Sequence, residues 1–122
     1  MGCHQVELQK EEEADVMKLY IEFAVIAQVI DVPSRIVEKR EYYRNKFLDW
    51  LYNPKTKHPY REKAIDASGK MFTAMRYDGY AFVDWLNRKM LKGTDEVAVM
   101  LEPDIEIDEQ HWISEGIPYI FF

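Results

Sequence analysis

The residues with the clearest chemical potential in this chain are the carboxylates Glu102, Asp104, Glu106 and Asp108, with Glu109 directly following. They alternate with Pro103, Ile105 and Ile107, a period of two that predicts a strand carrying its acids on one face, about 6.6–6.8 Å apart. Like charges set in such a row repel, so they need either full solvation or a cationic counterpart. One use is docking on a basic surface made for nucleic acid, with the acids standing in for phosphates. Another is calcium binding, because Asp104, Glu106, Asp108 and Glu115 match the first, third, fifth and last acidic positions of a calcium loop. Glu109 stands where that loop requires glycine for its sharp turn, which sets calcium aside. The plain structural use is a charged edge strand that resists aggregation.

No other constellation has the spacing of a catalytic or metal site. His4, His58 and His111 are scattered, and Cys3 has no activating neighbour in sequence. Ala67-Ser68-Gly69-Lys70 holds only the glycine–lysine pair of a phosphate loop. The expectation is therefore a protein that is not an enzyme and takes no cofactor or metal.

Basic and aromatic residues interleave between Arg35 and Lys63, where Lys39, Arg40, Arg44, Lys46, Lys55, Lys57 and Arg61 lie among Tyr42, Tyr43, Trp50, Tyr52 and Tyr60. Such a mixture suits single-stranded nucleic acid, with cations following phosphates and rings stacking on bases. A solvated helix face is the simpler reading, and no groove-reading or RNA-binding signature accompanies it.

Trp50 and Trp85 belong to a motif that occurs twice, Phe47-Leu48-Asp49-Trp50-Leu51 and Phe82-Val83-Asp84-Trp85-Leu86. On a helix the Phe, Trp and Leu of each copy share a face and the Asp points away. Two aromatic helices built on an internal repeat follow, their rings forming either core or the anchors of an interface.

These groups have to be positioned by the elements around them. Glu11 to Ile30 is apolar nearly all round, which predicts a buried central helix. Pro33 begins a second helix that runs to about Tyr52, where Asn53-Pro54 stops it. A basic loop follows from Pro54 to Pro59, then a helix beginning at Tyr60 to Ile65, then the second aromatic helix over Lys70 to Leu91, which either bends at Gly79 or divides into two shorter helices at Asp78-Gly79. Lys92-Gly93 closes that helix, and Asp108 is a candidate N-cap for a short turn. Glu96–Leu101 and Ile117–Phe122 read as two short strands that would pair with each other. The fold expected is α+β: a mainly α-helical single domain over residues 1–122, with three to four helices and a small C-terminal two-stranded β element. Residues 1–10 are expected to fray, 11–93 to be helical, and 94–122 to form the acidic tail.

Composition narrows the function. At 122 residues and 48% apolar content the chain can build one core and is not disordered. One cysteine forms no internal disulfide, and the polar, acidic start is unlike a signal peptide, so a reducing, cytoplasmic setting is expected. Gly2 and Cys3 could carry acyl chains, but Val6 stands where the myristoylation pattern wants serine or threonine. The net charge of −6 is unevenly laid out: the basic middle is followed by a chain with no lysine or arginine after Lys92. This points to a small acidic interaction protein that binds, modulates or inhibits another macromolecule, such as a nucleic-acid-processing, toxin or defence enzyme. Its binding residues would be Glu102, Asp104, Glu106, Asp108 and Glu109, with Trp50 and Trp85. The partner expected is a protein with a basic surface rather than nucleic acid or a membrane. The alternatives are a self-assembling subunit that uses the aromatic surfaces and the Ile117–Phe122 end, and a single-strand binder that uses residues 35–63.

Overall fold

The computed structural model describes residues 15–122. The expectations for residues 1–14, namely the frayed start, acylation of Gly2 and Cys3, and the first turn of an opening helix, lie outside the described residues.

Where the apolar run up to Ile30 predicts a helix, the structure has a β-hairpin. Strands β1 (Val16–Glu22) and β2 (Ala27–Pro33) pair antiparallel, with Leu19 opposite Ile30 and Tyr20 opposite Val29. The turn between them is closed by the Phe23 amide donating to the Ile26 carbonyl at 2.8 Å. Central strands buried on both faces need apolar residues at every position, so they lose the alternation that distinguishes strand from helix. The β-branched residues Val16, Ile21, Val29, Ile30 and Val32 favour the extended form.

Pro33 ends β2 and caps α1 (Ser34–Glu38), which passes through a break at Lys39 into α2 (Arg40–Tyr52). Asn53, with extended backbone before Pro54, stops α2 as the sequence predicts. The segment beginning at Tyr60 is not a helix, and neither is the first part of the predicted second aromatic helix. They form a hairpin, β3 (Arg61–Ile65) and β4 (Met71–Met75), which is a separate two-stranded sheet. Its turn holds Gly69 at φ 83, a conformation suited to glycine. Helix α3 (Gly79–Trp85) starts at Gly79, capped by the Asp78 side chain, which accepts from the Tyr80 amide at 2.9 Å. It runs on through a π-helical turn over Leu86–Met90. Of the two readings at this point, a bend and a boundary at Asp78-Gly79, the structure has the boundary, with a strand in place of a helix before it.

Strand β5 (Val99–Ile105), helix α4 (Glu109–Ser114) and strand β6 (Tyr119–Phe121) complete the fold. β5 and β6 do not pair with each other. β5 adds antiparallel to β2 and β6 adds parallel to β1, giving a four-stranded sheet of order β5-β2-β1-β6. The expected mainly helical domain with a small C-terminal two-stranded β element is therefore overturned: this is a strand-rich α+β fold whose core is built on a four-stranded sheet.

One sheet face, with Leu19, Ile21, Ile30 and Val32, is covered by α1, α2 and α3 through Ile36, Phe47, Leu51 and Phe82. The other face, with Tyr20, Ala27 and Val29, is covered by α4 through Trp112 and by Ile105 and Ile117. The two aromatic motifs do not mark a wider internal repeat, because Asp31 and Asp66, which stand at the same 35-residue spacing as the motifs, lie in β2 and in the β3–β4 turn. What they share is local: both sit on helices and face each other, with Phe47 meeting Phe82 at 5.4 Å and Trp85 at 5.6 Å between ring centroids.

Candidate protein-binding surface

The acidic residues lie along β5 and the connection into α4. Glu102 and Asp104 belong to β5, which ends at Ile105; Glu106 follows the strand, Asp108 caps α4 and Glu109 is the first residue of that helix. All five are exposed. The structure departs from the straight row that alternation predicts. Successive partners Ile30, Val29 and Ala27 on β2 meet Met100, Glu102 and Ile105, so β5 carries extra residues and bulges twice. The acids therefore fan around a bent edge instead of forming one rank. Asp104 lies on a strand and Glu115 ends a helix, so the calcium spacing does not fall on a loop.

None of the five acids forms an ion pair with a described lysine or arginine. The ion pairs among the described residues are Arg35–Glu96 at 2.8 Å, Arg88–Asp84 at 2.9 Å and Arg76–Glu62. Several arginines of the basic middle are held by carbonyl oxygens instead. Arg40 donates to the Tyr119 carbonyl at 2.8 Å and Arg44 to the Phe121 carbonyl at 3.0 Å, which covers the open edge of β6. Arg61 donates to the Thr56 and Asn53 carbonyls, both at 2.9 Å. The other sheet edge, β5, is left with Pro103, the bulges and its carboxylates.

Behind the acidic surface lies a polar cluster that sequence reading misses. The buried Tyr20 hydroxyl donates to Glu22 at 2.9 Å and accepts from the Asp108 amide at 3.3 Å, tying the start of α4 to β1. Burial, with the Glu22 hydrogen bond, pushes the Tyr20 hydroxyl up to about 12. Burial also raises the Glu22 carboxyl above its ordinary range; the Tyr20 hydrogen bond opposes the rise and neighbouring Glu109 adds to it. The only signal in sequence is the alternation of Tyr20 and Glu22, which is invisible once the segment is taken for a helix.

Trp50 and Trp85 lie elsewhere, between α2 and α3. Trp85 is buried and stacks on Phe82 at 6.1 Å. Trp50 is half-buried, stacked on Phe47 at 6.1 Å and next to His58 at 5.0 Å. Both indoles line a shallow hollow of about 390 Å³ shared with Lys46, Asp49, Lys89 and Met90. The His58 ring serves structure: its Nε2 hydrogen goes to the Leu51 carbonyl at 2.7 Å, and its Nδ1 accepts from the Tyr60 amide at 3.2 Å.

No described helix is long and apolar enough to cross a membrane. Comparison of the chain with protein-family models, with curated proteins and with solved structures finds no match.

Proposed function

We propose that this protein binds a second protein with a basic surface through Glu102, Asp104, Glu106, Asp108 and Glu109, and by doing so modulates or blocks it. The observation that carries this reading is the state of those acids. All five are exposed, and none is neutralised by a described cation of the chain. Charge displayed in this way gives long-range attraction to an oppositely charged partner and speeds its capture.

The test is a five-site neutral variant, with Glu→Gln at 102, 106 and 109 and Asp→Asn at 104 and 108, used beside the unaltered protein as bait in extracts of its natural host. Asparagine at 108 keeps an N-cap, so α4 is preserved. A basic partner held by the unaltered protein and lost by the variant, with unchanged circular dichroism, supports the reading; equal capture by both refutes it. The nucleic-acid alternative is weakened by Arg35, Arg40, Arg44 and Arg61, which are already engaged with Glu96 or with carbonyl oxygens. The aromatic self-assembly alternative is weakened by the mutual packing of Phe47, Phe82 and Trp85.

A further inference from the structure

The β3–β4 hairpin presents apolar side chains that the fold does not use. Its base belongs to the core, where Met75, Tyr60 and Tyr77 pack against the main cluster. Its far end does not: Ile65 is 67% exposed, Met71 61% and Phe72 47%. Ile65 and Met71 are directly paired across the strands, whereas Phe72, paired with Ala64, lies on the opposite face. Two-stranded sheets are marginal in water without something to pack on. The turn beyond them is nonetheless well tied, because Asp66 Oδ1 accepts from the Ser68 amide at 2.9 Å, the Ser68 hydroxyl at 2.6 Å and the Lys70 amide at 2.9 Å. The apolar pair is therefore held out on a fixed support.

Charge says what kind of surface would cover it. Residues 55–76 carry six lysines and arginines against Glu62 and Asp66. Lys63 shares a face with Ile65 and Met71, and it lines a hollow of about 360 Å³ together with Lys57, His58, Arg61, Thr73 and one acid, Glu62, which is paired with Arg76. An identical hairpin would bring cation against cation, so a symmetric hairpin contact is disfavoured. The charged turn, with Asp66 and Lys70, likewise argues against insertion into lipid. What fits is a surface that is apolar and acidic together. This chain has one: the edge of β5 and its flanks expose Val97 (55%), Val99 (44%), Leu101 (42%) and Ile107 (43%) among Glu102, Asp104 and Glu106.

We infer that the β3–β4 hairpin of one copy docks head to tail on the β5 acidic edge of a second copy. Such a contact is heterologous, so it propagates from copy to copy unless the rotation closes a ring. It also covers the acids assigned to partner binding, so self-association and partner binding compete. That consequence, though not the contact itself, rests on the proposed function.

Analytical ultracentrifugation with two variants tests the contact. One variant alters the hairpin (Ile65→Ser, Met71→Ser and Lys63→Glu), the other the acidic edge (Glu102→Lys and Asp104→Lys). All five sites are solvent-exposed, and circular dichroism checks the fold of each variant. At about 100 µM and low salt the unaltered protein should form species larger than a dimer, which dissociate on raising salt towards about 0.5 M. Each variant alone should self-associate at least about tenfold more weakly. Mixed in equal amounts, the two variants should form a one-to-one dimer and nothing larger, because one intact hairpin then meets one intact edge.

An unaltered protein that stays monomeric overturns the inference, as does an acidic-edge variant that still dimerises or a mixture that stays monomeric. The hairpin variant separates the two readings, since it keeps its acids and should still bind the basic partner of the unaltered protein. Loss of that binding only in the acidic-edge variant bears on the partner reading and leaves the self-association result to stand or fall alone.

Discussion

The backbone amide of Gly79 donates to Oε1 of Gln28 at 2.6 Å, which joins the first residue of α3 to the middle of the sheet. Gln28 is 1% exposed and the sole buried amide side chain among the described residues. Its amide nitrogen donates to the Pro103 carbonyl at 2.8 Å and reaches Asp78 Oδ2 at 3.4 Å. One side chain thus links β2, the capping residue of α3 and the bulged part of β5. Pro103 occupies the strand that carries the acidic surface, so the hub helps fix where those acids stand.

The hub leaves no room for a side chain at position 79. A Cβ there would collide with Gln28 Oε1 and Ile21 Cδ1. Gly79→Ala should lower stability by about 1–3 kcal/mol through overpacking. Gln28→Leu should cost at least a similar amount, about 1–3 kcal/mol for each buried backbone group left unpaired. Urea unfolding followed by tryptophan fluorescence measures both. A Gly79→Ala protein as stable as the parent would remove the hub from the account.

Phe47 is the residue on which the helical layer converges. It is fully buried and meets Phe82, Trp85, Tyr77 and Phe122 edge-on at 5.4–6.0 Å. Phe47→Ala should destabilise the protein by about 3–5 kcal/mol. Tyr42→Ala, on an exposed part of the same helix, should stay within about 0.5 kcal/mol. Comparable losses in thermal melts of the two variants would show that the motif faces are not core.

The Tyr20–Glu22 pair makes stability depend on pH at both ends. The folded state holds the Tyr20 hydroxyl neutral, so its contribution is complete below about 10 and lost as pH rises through about 12. Burial raises the Tyr60 and Tyr77 hydroxyls as well, so the alkaline loss is shared and Tyr20→Phe should remove only its own part. The raised Glu22 carboxyl contributes stability that is complete below its ordinary value of 4.5 and lost as pH climbs through its folded value. Glu22→Gln should accordingly stabilise the protein at pH values above that window and bring no gain below it. Denaturant midpoints measured across pH check both signs; a Glu22→Gln gain confined to acid solution would reverse the assignment.

What the sequence made legible was mostly punctuation. Asn53-Pro54 stops α2, and Asp108 caps α4 by accepting from the His111 amide at 3.2 Å. Gly93 follows the α3 segment at φ 82. The exposure of the acidic residues was legible too, because carboxylates without nearby cations stay in water. The sheet was not, because Leu19, Tyr20 and Ile21 are all fully buried and so present no polar face to betray a strand. The β3–β4 hairpin is hidden for a related reason: Met71 and Phe72 stand 35 residues after Ile36 and Val37, as the second aromatic motif stands after the first, and this chance similarity reads as a helix continued backwards. The Gln28–Gly79 contact joins residues far apart in sequence, and such pairings are set only once the sheet and α3 are in place.

The central claim, that the acids around β5 dock a basic partner, is tested most directly by calorimetric titration of that purified partner. The unaltered protein and the five-site neutral variant would each be titrated over a series of salt concentrations. The account predicts binding by the unaltered protein that weakens steadily with salt, and at least about a hundredfold loss of affinity in a variant with unchanged circular dichroism. Equal affinity in the two proteins, or binding indifferent to salt, would contradict it.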